Sequence, residues 1–178
     1  MSDKLKEQIF NIKLKSRRVW FFAEYVGFKT PDEFLDNLAQ NLSDGAEVVE
    51  LSGANMTDRE FLETAKKTKQ LCEVFGATFL VKNRADIAYL SSADGVNLEQ
   101  EDIDTLSVLE IFGEKVLIGL YINTNCAEFS VKGGADYIIR CNTVSTPTEP
   151  VKLTGLEYAK WVSENTLLPV VCWEKEAQ

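Results

Sequence analysis

The chain has 178 residues, 45% hydrophobic and 26% charged, enough for one sizeable core and too few for two comfortable domains. Residues 1–18 carry six basic side chains against Asp3 and Glu7, a net of +4, while the remainder carries 13 basic against 26 acidic, a net of −13. A body that acidic repels nucleic acid, and the absence of any histidine removes the commonest general base and metal ligand.

The N-terminal segment interleaves Lys4, Lys6, Lys13, Lys15, Arg17 and Arg18 with Leu5, Ile9, Phe10, Ile12 and Leu14. That pattern predicts a basic amphipathic helical leader over residues 1–18, with a single domain over 19–178. No apolar run approaches the ~20 residues of a membrane span, and no signal-like segment opens the chain, so the expected location is cytoplasmic. The four cysteines, Cys72, Cys126, Cys141 and Cys172, stand singly, which fits reduced thiols and argues against a zinc site.

Beyond the leader, short apolar runs alternate with helical patterns. The predicted strands are Val19–Tyr25, Glu47–Ser52, Thr78–Lys82, Gly95–Leu98, Val116–Ile122, Tyr137–Cys141 and Pro169–Trp173. Most are continuously apolar, as parallel strands buried on both faces are. Between the first two, Thr30-Pro31 reads as an N-cap followed by proline at the first helical position, with Phe34, Leu35, Leu38 and Leu42 on one face. Thr57 and Glu60 have capping-box spacing and precede an apolar stripe that ends at Gly76. Shorter helices are predicted at Ala85–Leu90, Ile103–Phe112 and Asn125–Val131, and Thr154 with Glu157 forms a second box.

Gly45-Ala46, Gly76-Ala77 and Gly134-Ala135 each lead from helix to strand, with Ala93-Asp94-Gly95 a reshuffled version. We read them as an internal βα repeat in which the glycine ends the helix in a left-handed conformation. Alternating β and α with right-handed crossovers predicts a parallel α/β fold. Seven strands favour a TIM-type (β/α) barrel over an open doubly wound sheet, and no glycine-rich dinucleotide fingerprint follows the first strand. An eighth strand is not visible. The exposed edge beside the seventh predicts a homo-oligomer or coverage by the leader.

From Leu71 to Trp173 the order of motifs resembles the thiamine phosphate synthase/TenI family. Residues Ala93-Asp94-Gly95-Val96-Asn97-Leu98-Glu99-Gln100-Glu101-Asp102 are similar to that family's A-D-G-V-H-L-G-Q-E-D. Gly134-Ala135-Asp136-Tyr137-Ile138, then Thr146-Pro147-Thr148, resemble G-A-D-Y-I-G and T-P-T-K, and Pro169-Val170-Val171 sits where P-V-V-A-I-G-G-I begins. Glu50-Leu51-Ser52-Gly53-Ala54 fits the Q-L-R-x-K slot loosely. The resemblance implies joining of a pyrimidine pyrophosphate to a thiazole phosphate with Mg²⁺, in thiamine biosynthesis. Such chemistry needs oxygens on the cation and donors on the leaving pyrophosphate.

Carried over position by position, the site is degraded. The two metal aspartates fall on Asn83 and Asp102, and Asp102 also reads as a first-turn acid of the following helix. Glu50, Ser52 and Ala54 replace the glutamine and both cations of Q-L-R-x-K, Lys82 replaces the asparagine before the metal position, and Tyr121 replaces the serine of G-x-S. Glu149 reverses the closing lysine, a change worth about several kcal/mol against an anion if desolvated. Arg84, Thr146 and Thr148 match and are the substrate-binding candidates. Against that, Arg84 also reads as a helix-start salt bridge, and Thr146-Pro147-Thr148 as a stiff turn. Bulky Cys172-Trp173-Glu174-Lys175 fills the place of a glycine-rich phosphate loop. The proton shuttle of the TenI branch relies on a histidine, and Asn123 stands there instead.

No catalytic residue is therefore assigned, and Asp102 is the one metal candidate. The expected function is a catalytically impaired member, a pseudoenzyme, serving as a small-molecule-binding or assembly module for a phosphorylated or neutral ligand, without nucleic-acid or membrane partners. The alternative is an active, Mg²⁺-dependent thiamine phosphate synthase, using Asn83, Glu101 and Asp102 on the metal and Lys82 and Arg84 on pyrophosphate.

Overall fold

A computed structural model describes residues 19–99, 101–113, 115–121, 134–141 and 170–173. The leader, the predicted helix at 125–131, the Thr146-Pro147-Thr148 loop, Glu149 and the Thr154 box lie outside these residues. Seven strands form one sheet: β1 (Trp20–Glu24), β2 (Val48–Ser52), β3 (Thr78–Lys82), β4 (Gly95–Leu98), β5 (Leu117–Tyr121), β6 (Tyr137–Cys141) and β7 (Val170–Trp173). They pair in chain order, and every pairing is parallel. The described helices are α1 (Pro31–Ser43), α2 (Asp58–Phe75), α3 (Ala85–Leu90) and α4 (Thr105–Phe112).

The sheet is strongly curled. Strands pair about 4.8 Å apart, so in a flat sheet β1 and β6 would lie roughly 24 Å from each other. Instead the Trp20 and Tyr137 rings meet edge to face at 6.2 Å between centroids. Val48, Leu80, Leu117, Tyr137 and Ile139 pack together inside the curve, with Trp20, Tyr121 and Val171 against them. This is a TIM-type barrel without closure among the described strands.

Local signals act as the residue types dictate. Thr30 Oγ1 accepts the Glu33 N–H, with Pro31 at the first helical turn. Thr57 and Glu60 form the full capping box, Thr57 N–H donating to Glu60 at 2.9 Å and Glu60 N–H to Thr57 at 3.3 Å. One boundary differs from expectation. The fourth helix begins at Thr105, not Ile103, because Asp104 takes the N-cap and accepts the Ser107 N–H at 2.9 Å.

The internal repeat has a physical basis that the glycines alone do not reveal. Asp94 N–H donates to the Phe79 carbonyl, and Asp94 Oδ2 accepts the Phe79 N–H at 2.9 Å. Asp136 makes the same two bonds to Ile118. In each Ala-Asp pair the aspartate clamps the start of its strand to the preceding one. Gly76 caps α2 in the left-handed region, φ 71°. Gly95 departs from that pattern: it lies within β4, and a Cβ there would stand 2.7 Å from Leu117 Cβ. Ser92, φ 57°, takes the left-handed residue after α3.

Candidate functional site

Strand periodicity sends alternate residues to the two faces of the sheet. Toward the helices point Val49, Leu51, Phe79, Val81, Val96, Leu98 and Ile118, all buried aliphatic or aromatic groups. Toward the concave side, near the C-terminal strand ends, point Glu50, Lys82, Asn97 and Tyr121. Barrel active sites lie at that end.

Glu50 is a carboxylic acid in an otherwise apolar strand and is only 3% exposed. Two donors bind it directly, and a third braces one of them. Tyr121 Oη donates across the barrel at 2.6 Å to Oε1 and 2.8 Å to Oε2. Asn97 Nδ2 donates to Oε2, and Tyr137 Oη donates to Asn97 Oδ1. Glu50, Asn97 and Tyr137 come from β2, β4 and β6, one interior layer supplied by alternate strands. Gly119 makes room for it, since a Cβ there would meet the Tyr137 ring at 2.6 Å. Burial raises the Glu50 pKa above the ordinary carboxylate range, outweighing the Tyr121 and Asn97 bonds and the Lys82 charge. Tyr121 and Tyr137 are held neutral, chiefly by burial and then by the Glu50 charge.

Lys82 closes a second layer. Its Nζ lies 2.8 Å from Glu99 Oε1 and 4.8 Å from the centre of the Tyr121 ring. Burial would lower the lysine pKa, but the Glu99 carboxylate reverses that and holds it high. Glu99 is held low by the same pair, against the effect of burial, with help from Asn83 Nδ2 at 3.1 Å.

The expected site residues divide. Asn83 and Asp102 meet at the ends of β3 and β4 through Glu99, an acid the motif comparison did not single out, while the expected Glu101 is exposed. Asp102 Oδ2 accepts the Glu99 N–H at 2.7 Å, tying the loop after β4. It does not lie in the first turn of α4, whose cap is Asp104, which corrects the helix-terminus reading. Arg84 turns away, donating to Asp86 at 2.7 and 2.8 Å and to Asp58 at 2.6 Å. Those bonds raise its pKa, and that of Asp86 falls with it. Thr146 and Thr148 lie outside the described residues.

Mg²⁺ asks for near-octahedral oxygen ligation. Asn83 Oδ1 is buried without a hydrogen-bond partner among the described residues, and Asn83 holds a left-handed backbone at φ 65°. Yet Glu99 is neutralised by Lys82, Asp102 is spent on its own loop, and no three acidic, histidine or cysteine side chains converge as a metal group among the described residues. The donor set does not fit the ion as arranged.

The family model of thiamine monophosphate synthase (TMP-TENI) matches residues 26–173. The chain belongs to that family. It is 33% identical over 154 residues to a thiamine-phosphate synthase of Nostoc punctiforme, covering 85% of this chain and 44% of that protein. A thiamine-phosphate synthase of Coprothermobacter proteolyticus is 32% identical over 132 residues, 73% of this chain and 63% of the relative. The chain thus spans less than two thirds of the length of either. The solved thiamine phosphate pyrophosphorylase of Pyrococcus furiosus superposes with a TM-score of 0.70 at 25% identity, covering 88% of this chain and 74% of that one. The family fold is therefore present, with Tyr121, Glu50 and Lys82 on its concave face.

The Glu50–Tyr121 pair was readable only as two substitutions. A lone acid among Val48, Val49 and Leu51 signals a buried carboxyl that needs partners. Its partners lie 47 and 71 residues away, and only the curl makes them neighbours.

Proposed function

We propose that this thiamine monophosphate synthase/TenI family barrel no longer carries out the synthase reaction and serves as a small-molecule-binding or assembly module. One observation carries the reading: the groups expected to grip an anion are bound to the chain's own acids. Lys82 pairs with Glu99, and Arg84 with Asp58 and Asp86. Glu50, joined to Tyr121, adds an acid to the same concave surface. A diphosphate entering here would meet carboxylates and would have to break existing ion pairs. A neutral or weakly charged ligand meets no such barrier.

The assay is direct. The protein is incubated with the pyrimidine pyrophosphate, the thiazole phosphate and Mg²⁺, and thiamine phosphate is quantified. No product above the enzyme-free background is expected. Turnover that Asp102→Ala abolishes would overturn the reading.

A second reading, a working Mg²⁺-dependent synthase, draws support from Asn83. Its buried, unbonded Oδ1 and left-handed backbone leave a polar atom available to a ligand, as strained polar positions at functional sites do. In that case Asn83, Glu101 and Asp102 would take the metal, Lys82 and Arg84 the pyrophosphate, and Thr146 and Thr148 the other substrate. In both readings the protein is taken as cytoplasmic, and the edge left open among the described strands is to be covered by a second copy of the chain, as a homo-oligomer, or by the basic leader. A monomer in sedimentation at micromolar concentration would contradict the assembly.

A further inference from the structure

Lys82 stands beside Asn83, the position that corresponds by resemblance to the family's first metal aspartate. Its side chain is 26% exposed, and its ammonium lies 2.8 Å from Glu99 Oε1. The face of Tyr121 is on another side, 4.8 Å from Nζ to the ring centre. A carboxylate combined with an aromatic face is a favourable environment for an organic ammonium. Glu99 is fixed in turn: Asn83 Nδ2 donates to its second oxygen, and Asp102 holds its backbone N–H. Glu50 and Glu24 also act on the lysine as negative charges. Lys82 thus sits among negative charges at the described mouth, and its partner Glu99 is the carboxylate hydrogen-bonded to Asn83, where a divalent ion would also look for an oxygen. Two cations cannot share that oxygen without strong repulsion.

We propose that the Lys82 ammonium is a resident cation of this barrel, replacing a divalent metal, so that ligands at this mouth bind without Mg²⁺. The ligand class follows from the charge. One ammonium among Glu24, Glu50 and Glu99 suits a neutral or singly charged molecule with an oxygen acceptor, and does not neutralise a diphosphate. The inference rests on the mouth being the ligand site and deepens the proposed function by excluding the metal.

Mn²⁺ titration followed by electron paramagnetic resonance tests it on the full chain, with circular dichroism to verify folding. The wild type is expected to hold no stoichiometric Mn²⁺. Lys82→Met keeps the aliphatic stem against Tyr121 and removes the charge. It should gain one Mn²⁺ per chain, at least about tenfold tighter than any wild-type binding, through the freed Glu99 oxygen and Asn83 Oδ1. Glu99→Gln on that background should abolish the gain. A wild-type protein that binds one Mn²⁺, weakened by Glu99→Gln, overturns the proposal, and that arm does not depend on the lysine variant folding. So does a folded Lys82→Met protein with no new site. Synthase turnover in the presence of a chelator would overturn the impaired reading and leave the resident cation standing.

Discussion

The two faces of the curled sheet use alternate residues of the same strands and are held by different physics. On the convex face Val49, Leu51, Phe79, Val81 and Ile118 pack under Phe34, Leu38, Phe61, Ala65 and Ile87. Attraction there is non-directional and scales with the apolar area removed from water. On the concave face, the strands carry a carboxyl, two phenols, one amide and an ammonium in Glu50, Tyr121, Tyr137, Asn97 and Lys82. Each interaction depends on a partner at the right distance and angle. The convex face sets how firmly the fold is held, and the concave face sets what the mouth can bind.

Substitutions on the two faces should separate these roles. The largest loss belongs to the convex core: Phe79→Ala deletes a fully buried ring and should cost about 3–5 kcal/mol in urea unfolding. Next comes Glu50→Ala, which strips the acceptor from Tyr121 and Asn97 and should cost about 2–3 kcal/mol. A loss as large as that of Phe79→Ala would show that the network, rather than the helices, holds the curl. Tyr121→Phe removes one hydroxyl, keeps the ring against Lys82, and should cost about 1 kcal/mol. Arg84→Met should cost at most about 1 kcal/mol, since its partners Asp58 and Asp86 are largely exposed.

A pH arm sharpens the comparison at Glu50. Its folded pKa is raised, so folding favours the protonated acid. The contribution is complete below the unfolded carboxylate range, where both states hold the proton. It is lost as pH rises from there through the raised folded value. Urea midpoints of wild type and Glu50→Gln should therefore diverge between mildly acidic and mildly alkaline buffer, with the wild type losing more. Parallel profiles would mean that Glu50 is ionised throughout.

The peptide order carried much of this molecule. Cap spacing at Thr30 and Thr57, apolar strand runs and right-handed alternation are local rules, and they located the described helices and all seven strands to within two residues at each end. Motif order from Leu71 onward carried the family. The substitutions at Asn83, Glu50 and Tyr121 were legible as departures from it, but their meaning was not. Only the curl brings β2 against β5, so only the tertiary structure makes Glu50 and Tyr121 partners. It likewise sends Arg84 to Asp58, 26 residues earlier, and Lys82 to Glu99. Local propensity is a property of a few adjacent residues. The pairing of buried polar groups depends on which strands the curled sheet sets opposite one another, and no short stretch of sequence encodes that distance.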